Sequence, residues 1–363
     1  MPQLDGVRTL AVGAVIAQHF RILNVGAGYG VHLFFVLSGF LITGILLAER
    51  KNVEELSLTR GAAFRHFYIR RALRIFPLYY FIVFSGIILN VDNARDYAPW
   101  LLTYTINLKM AAQGWNITNF SHFWSLAVEE QYYIVWPWLI LMLPKRKLVL
   151  AAALTIAIGP VFRLMHVVLG SAMPAHNSLS VYISTPTVLD SLGMGSLLAI
   201  LTRDESVAPR LERWMRFAIP LGALAAFVFL EFRPPARLHF LLGDTAAAVL
   251  FAWLIYKAAR GFGGITGAFL SAAPIVYLGR ISYGIYVYHP LVPGLTLRTA
   301  RLLGISTPQP WDLYDWTPAF IVVTIIVATI SWYVLEKPLN GLKNRFPYSS
   351  SHSGTTASVP AGS

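Results

Sequence analysis

Two ionisable side chains, Arg8 and His19, lie in an otherwise apolar segment near the start of the chain, LDGVRTLAVGAVIAQHF. At ~100° per residue, the eleven steps between them make roughly three helical turns, so both lie on one face about 16 Å apart. Ionisable groups inside a membrane are costly and normally face a polar cavity, so they indicate a functional site. The pair predicts one wall of a reaction channel, with a base at depth and a cation nearer the surface.

Composition predicts that a membrane surrounds this pair. Hydrophobic residues make up 56% of the 363 residues and charged residues 13%, about half the usual proportion in soluble proteins. Apolar stretches close to the ~20 residues that cross a bilayer recur along the chain. They occupy residues 9–25, 29–48, 73–91, 125–143, 147–168, 183–202, 215–231, 238–258, 281–299 and 317–336. The sequence therefore predicts an all-α, polytopic integral membrane protein with about ten transmembrane helices, of which 281–299 is the least distinct.

Loop charges predict the orientation of these spans. Basic residues are concentrated in alternate loops, and most of the net charge of +12 lies there. Because positively charged loops stay in the cytosol, both termini are predicted to be cytoplasmic. Four arginines on the predicted outer side are exceptions: Arg233, Arg237, Arg298 and Arg301. This charge pattern gives no reason to expect a nucleic-acid partner.

Two further global features limit the chemistry. The chain has no cysteine, which excludes disulfides, thiolate catalysis and cysteine-ligated metals, and no metal site is predicted. Residues 349–363 form a polar tail of low complexity, which predicts disorder. One integral membrane domain is therefore expected over residues 1–348.

A group of arginines opens the third predicted span in the sequence FRHFYIRRALRIFPLYY. Arg71 and Arg74 are three residues apart, which places them on one helical face, and Arg70 is adjacent. One interpretation is anchoring at the cytosolic membrane surface. The other is a phosphate site for a nucleotide-bearing donor, because guanidinium groups bind phosphates in a forked geometry.

A pair of carboxylates, Glu129 and Glu130, lies early in the fourth predicted span, in HFWSLAVEEQYYIVWPW. Ser125 is expected to cap this helix, and acidic residues near a helix start are favoured by the helix dipole. Two adjacent carboxylates that point to different faces, beside Tyr132 and Tyr133, fit capping less well. At least one of them is expected to serve a polar network or an active site.

Three other segments combine polar and small residues. In LGRISYGIYVYHP, one broad helical face carries Ser282, Tyr286 and His289, and the histidine is either a buried structural residue or a functional one. The small residues of GVHLFFVLSGFLITG favour close packing against the first helix. Two acidic residues at span edges, Asp190 and Glu336, are expected to pair with arginines.

Together these strings resemble the bacterial membrane-bound acyltransferase-3 family, which includes O-acetyltransferases of O-antigen, peptidoglycan and Nod factors. The resemblance extends from Leu4 to about Pro338, and its motifs follow in family order. They are LDGVR with His19, GVHLFFVLSGFLI, the arginine group, WSLAVEEQYY, ISYGIYVYHP and Glu336–Lys337–Pro338. Many relatives carry an arginine shortly before the aspartate matched by Asp190, whereas Thr187, Val188 and Leu189 precede it here, which weakens the case for an arginine–aspartate pair. Some relatives append an SGNH hydrolase-like domain, and none is expected after Pro347.

The resemblance implies transfer of an acyl group, usually acetyl, from cytosolic acyl-CoA to a hydroxyl of a cell-surface glycan or lipid-linked saccharide. His19 would then be the general base, and Arg8 would orient the donor or stabilise the oxyanion. Arg70, Arg71 and Arg74 would hold the phosphates of CoA. Glu130 or Glu129 would orient His19 or bind acceptor hydroxyls. The remaining candidates for substrate binding are His122, Tyr133, Ser282 and His289.

Several alternatives stay open at this level. His19 acts either as a base in direct transfer or as a transient carrier of the acyl group. The acceptor is a glycan, or else a macrolide or other small metabolite. A transporter or flippase without chemistry also fits about ten spans with buried charges. The expected location is a bacterial inner membrane, crossed several times, so lipid is an expected partner. Acyl length and oligomeric state stay open, and a homo-oligomer is one alternative.

Overall fold

The computed structural model describes residues 1–22, 28–55, 57–114, 119–169, 181–232, 236–305 and 316–346. The regular elements of these ranges are all helical, as the sequence predicts. The first seven α-helices are α1 Pro2–His19, α2 Tyr29–Glu54, α3 Arg60–Leu89, α4 Ala98–Leu102, α5 Ile106–Gln113, α6 Phe123–Met142 and α7 Lys145–Leu169. They are followed by α8 Thr185–Arg203, α9 Ala208–Arg216, α10 Ala218–Phe232, α11 Ala236–Arg260 and α12 Gly264–Ser271. The last are α13 Ala273–Arg280, α14 Ser282–Tyr288, α15 Val292–Leu302, α16 Thr317–Ser331 and α17 Lys337–Gly341.

Six of the described helices are long and apolar enough to cross a membrane. They include most of α2, α3, α7, α8 and α11 and the segment Thr317–Arg345. The count of ten and the cytoplasmic termini remain predictions. The prediction of one continuous span over 281–299 is wrong, because α14 ends at Tyr288 and α15 begins at Val292. The apolar residues before it form α12 and α13, which pack on α1.

Close packing of small residues holds α2 among its neighbours. A Cβ on Gly39 would lie 2.0 Å from the backbone oxygen of Leu192 in α8, and one on Gly195 would lie 1.9 Å from that of Val36. A Cβ on Gly30 would lie 2.6 Å from the backbone oxygen of Ala11 in α1. The expected packing of α2 on α1 is therefore confirmed, and the closest backbone approaches also include α8.

A buried ion pair joins three of the helices around α2. Arg163 of α7 donates to Asp190 of α8 at 2.5 Å and to Asp244 of α11 at 2.8 Å. Arg163 is 1% exposed and Asp190 0%. The Thr245 hydroxyl also donates to Asp190, at 2.6 Å. The doubt about an arginine–aspartate pair at Asp190 is thus wrong, because the arginine comes from a different helix, α7.

The second acidic residue at a span edge behaves differently. Glu336 is buried at the end of a π-helical turn, Trp332–Glu336, and accepts a hydrogen bond of 3.2 Å from Ser331. Over the described ranges it forms no ion pair with an arginine, contrary to the sequence prediction. The predicted tail, 349–363, lies outside the described residues.

Candidate active site

A cavity lies between α1, α2, α3, α6 and α14. It contains about 840 Å³ of space free of atoms, including the part open to solvent. Three guanidinium groups line it: Arg8 from α1, and Arg71 and Arg74 from one face of α3. Arg8 also pairs with Asp5, one turn earlier. The structure thus brings the predicted cation of α1 together with two of the three predicted phosphate-binding arginines.

Polar side chains of α6 also line the cavity. Glu129, Glu130 and Tyr133 line it, as does Ser38 of α2, which hydrogen-bonds to the Tyr133 hydroxyl. The Arg71 guanidinium lies over the Tyr133 ring, 4.9 Å from its centroid. One oxygen of Glu130 is buried and has no hydrogen-bond partner among the residues that the structure describes. Cations and carboxylates therefore line the same cavity, which suits a polar ligand.

The helix that carries these carboxylates begins differently from the prediction. Its N-cap is His122, and its first turn has no acidic residue and no side-chain cap. The Ser125 hydroxyl donates back to the His122 carbonyl at 3.1 Å. Capping by Ser125 is therefore wrong, and Glu129 and Glu130 lie too far along the helix to serve its start.

The His19 imidazole lies outside the lining of this cavity, at the end of α1, and is exposed. Its Nδ1 atom lies 3.1 Å from the Val15 carbonyl oxygen and 3.0 Å from Nε2 of His289. The Nδ1 atom of His289 in turn lies 2.6 Å from the Tyr286 carbonyl oxygen. A chain of hydrogen bonds thus runs from a backbone carbonyl through the buried His289 to His19.

These contacts determine where the protons lie when both rings are neutral. A carbonyl oxygen only accepts, so Nδ1 of His289 donates to Tyr286 and its Nε2 is left as an acceptor. Nδ1 of His19 then faces two acceptors, His289 and Val15, and must carry the proton. The free lone pair of His19 is therefore on Nε2, the position that a general base needs.

A third histidine and two hydroxyls connect this pair to the cavity. Nε2 of the buried His122 lies 3.2 Å from the Val287 carbonyl oxygen, and its ring centroid lies 5.4 Å from that of His289. The Tyr286 hydroxyl contacts the Ser125 hydroxyl at 2.5 Å and donates to the His122 carbonyl at 2.9 Å. Because Tyr286 and Ser125 also line the cavity, they form the boundary between its arginine-lined space and the histidines.

Three predicted roles change with this geometry. His289, rather than Glu129 or Glu130, contacts the ring of His19. Arg8 and His19 belong to one continuous helix, so they are about 16 Å apart along its axis. That separation places Arg8 too far away to stabilise an oxyanion beside His19. The predicted channel wall is therefore divided, with Arg8 in the cavity and His19 beyond it.

The third arginine of the group on α3 has a different environment. Arg70 does not line the cavity, and its guanidinium donates to the backbone carbonyls of Lys343 and Phe346, both at 3.0 Å. Ser282 lines the cavity, as predicted for a substrate contact, whereas His289 and His122 do not. Within the described ranges, no three histidine, aspartate or glutamate side chains are arranged to hold a metal ion.

Comparison with known proteins agrees with the motifs. The family model described as an acyltransferase domain matches residues 1–336. The chain belongs to this family. That confirms the resemblance on which the sequence predictions relied. No solved structure matches the chain.

Three relatives from different bacteria match nearly the whole of this chain. YrhL of Bacillus subtilis is 30% identical over 369 residues, covering 93% of this chain and 55% of its own length. The peptidoglycan O-acetyltransferase OatA of Listeria monocytogenes is 29% identical over 371 residues, covering 95% and 57%. The O-acetyltransferase OatA of Staphylococcus aureus is 26% identical, covering 93% and 57%. The chain thus spans little more than half the length of these relatives.

Proposed function

We propose that this protein is a membrane O-acetyltransferase that moves an acetyl group from acetyl-CoA to a hydroxyl of a cell-wall glycan. Membership of the acyltransferase family and the names of the O-acetyltransferase relatives support the reaction class. The observation that carries the proposal is the free Nε2 lone pair of His19, on a helix whose Arg8 lines a cavity with Arg71 and Arg74. The protein would be a multi-pass protein of the bacterial inner membrane, with about ten spans and cytoplasmic termini.

In this proposal the arginines hold the donor. Arg8, Arg71 and Arg74 bind the phosphates of CoA, since charge-assisted bonds to phosphate are strong and directional. Glu130, with its unpartnered oxygen, accepts a hydrogen bond from an N–H or hydroxyl of the bound ligand. Tyr133 and Ser282 complete the lining. The flexible pantetheine arm then extends past Tyr286 towards the histidines.

The reaction itself takes place at His19. The acceptor hydroxyl oxygen attacks the thioester carbonyl carbon while its proton passes to Nε2 of His19. The carbon–sulfur bond breaks, and the proton passes on to the leaving thiolate, which gives CoA and the O-acetyl ester. If the acetyl group is instead carried on Nε2 itself, His289 stabilises the same ring in both half-reactions. The His122 ring packs against the His289 ring and helps to hold the histidine pair in place.

The test is acetyl transfer by the purified full chain in detergent, with labelled acetyl-CoA and peptidoglycan fragments as acceptor. An O-acetylated glycan and free CoA in equal amounts are the expected products. Vesicles that take up acetyl-CoA or saccharide without forming an ester would instead indicate a transporter. A panel of small secondary metabolites, analysed by mass spectrometry, distinguishes a glycan acceptor from a macrolide.

Replacement of Arg71 by alanine is expected to weaken donor binding. A lost bond between guanidinium and phosphate should raise the KM for acetyl-CoA by about 10- to 100-fold, while the KM for the acceptor changes little. Steady-state kinetics with each substrate varied measures both constants. Arg60→Ala, at the exposed start of the same helix, is the matched control. An unchanged donor KM in Arg71→Ala would assign the arginine group to membrane anchoring.

Replacement of His289 by alanine is expected to impair catalysis rather than binding. His289 is a positioning residue here, because it fixes the tautomer of His19 and touches no substrate. Loss of this contact should lower kcat about 10- to 100-fold with little change in either KM. His289→Gln should retain more of kcat than His289→Ala, because the glutamine amide oxygen can accept the hydrogen bond from His19. A purely structural role would give equal losses in the two variants, with a lower melting temperature.

A further inference from the structure

A short segment near the end of the described chain packs on the arginine-bearing part of α3. It comprises the 3₁₀ turn Leu342–Arg345 and Phe346, which follow α17. The Arg70 guanidinium donates to the carbonyls of Lys343 and Phe346, both at 3.0 Å, and Arg65 lies over the Phe346 ring at 5.8 Å. This contact holds the segment against α3 at Arg70, one residue before the cavity-lining Arg71.

This arrangement brings a fourth cation to the same region. The Arg70 guanidinium holds the backbone of Lys343 against the part of α3 that also carries Arg71 and Arg74, and the Lys343 side chain is partly buried there. In the described part of the chain, neither Lys343, Arg71 nor Arg74 forms an ion pair with a carboxylate. Glu129 and Glu130 line the cavity with Arg71 and Arg74, and neither pairs with Lys343 in the described residues. Grouping Lys343 with three arginines away from water is therefore favourable only when a further anion joins them.

The position of Lys343 relative to the cavity indicates which anion this is. Arg71 and Arg74 line the cavity. Arg70 precedes them by one residue and by four residues in α3, and it holds the segment that contains Lys343. The start of α3 is on the predicted cytosolic side. A donor with several phosphates could place some of them beside Arg71 and Arg74 in the cavity and another beside Lys343. Lysine binds phosphate as a compact point charge.

We infer that Lys343 binds a phosphate of the CoA portion of the donor, and that the segment from Leu342 to Phe346 forms an edge of the donor site. The inference rests on the proposed acetyltransferase function. Neither the motifs nor the order of the spans pointed to Lys343, because it lies outside every motif named in the sequence analysis. Its place is defined by the Arg70 contacts, which only the fold displays.

The test compares donors with and without phosphates in the full-length Lys343→Ala protein. The KM for acetyl-CoA should rise about tenfold with kcat unchanged, whereas the KM for S-acetylpantetheine, which has no phosphate, should equal that of the wild type. Lys343→Arg should restore the acetyl-CoA value. Lys147→Ala, at an exposed lysine near the start of α7 and outside the donor site, is the matched control and should change neither constant.

Binding of CoA, measured by its effect on the melting temperature in detergent, separates this inference from the function on which it rests. If the wild type binds CoA through Lys343 but transfers no acetyl group, the proposed function fails and the phosphate contact stands. Equal CoA affinity in the wild type and Lys343→Ala would overturn the inference. So would an equal rise in KM for both donors, or a wild type that does not bind CoA.

Discussion

His19→Ala is expected to lower kcat for acetyl transfer by about 10²–10⁴-fold while the protein stays folded in detergent. The exposed ring makes one described polar contact with another side chain, that of His289, so its removal leaves the packing of α1 intact. What is lost is the lone pair on Nε2 that accepts the proton of the attacking hydroxyl. Since the donor is held by arginines outside this cluster, the KM for acetyl-CoA should change by less than about threefold.

The control for this variant is a histidine in a different environment. His239 of α11 contacts Glu231 at 3.1 Å and has no contact with His19 or His289 among the described residues. His239→Ala should retain wild-type kcat. Labelled acetyl that can be trapped on the wild-type protein but not on His19→Ala would favour the covalent route. Normal turnover by His19→Ala would remove the assignment of the base.

Arg163→Leu is expected to destabilise the fold by about 3–5 kcal/mol, because it leaves the buried Asp190 and the partly buried Asp244 without their cation. Arg163 is 1% exposed and bonds to Asp190 and Asp244, which come from different helices. The loss should lower the melting temperature in detergent sharply, with or without ligand. No effect on donor specificity is expected, since none of the three residues lines the cavity.

Two further variants show whether the charge, and not the shape, of Arg163 matters. Arg210→Ala, an exposed arginine of α9, should leave the melting temperature unchanged. Adding Asp190→Asn and Asp244→Asn to Arg163→Leu should recover part of the loss, because the uncompensated charges are then gone. A melting temperature that stays at the wild-type value in Arg163→Leu would contradict the network.

The sequence predicted the helical class and much of the cavity, because those signals are local or periodic. Long apolar stretches indicated the membrane helices, and a spacing of three residues placed Arg71 and Arg74 on one face, where the cavity now shows them. The cost of a charge in an apolar helix predicted that Arg8 faces a polar cavity, and Arg8 does line the cavity. Each of these inferences needed only one helix at a time.

What the sequence missed depends on contacts between helices. The partner of Asp190 was sought within its own helix, while Arg163 lies 27 positions earlier on α7. The partner of His19 was sought among carboxylates, but it is His289, which is 270 positions away. An arginine in the apolar α7 was a usable signal for the first. For the contact between His19 and His289, no pattern in a single sequence indicates which histidines will lie next to each other in the fold.

The central claim is that the arginine-lined cavity and the histidine pair belong to one reaction path. The most direct measurement is an experimental structure of the full chain with CoA bound, in which the phosphates and the sulfur are both located. We predict that the phosphates lie beside Arg71 and Arg74. The sulfur should lie within about 3–4 Å of Nε2 of His19, which is close enough to react. Phosphates bound elsewhere, or a sulfur that stays on the arginine side of Tyr286, would contradict this account.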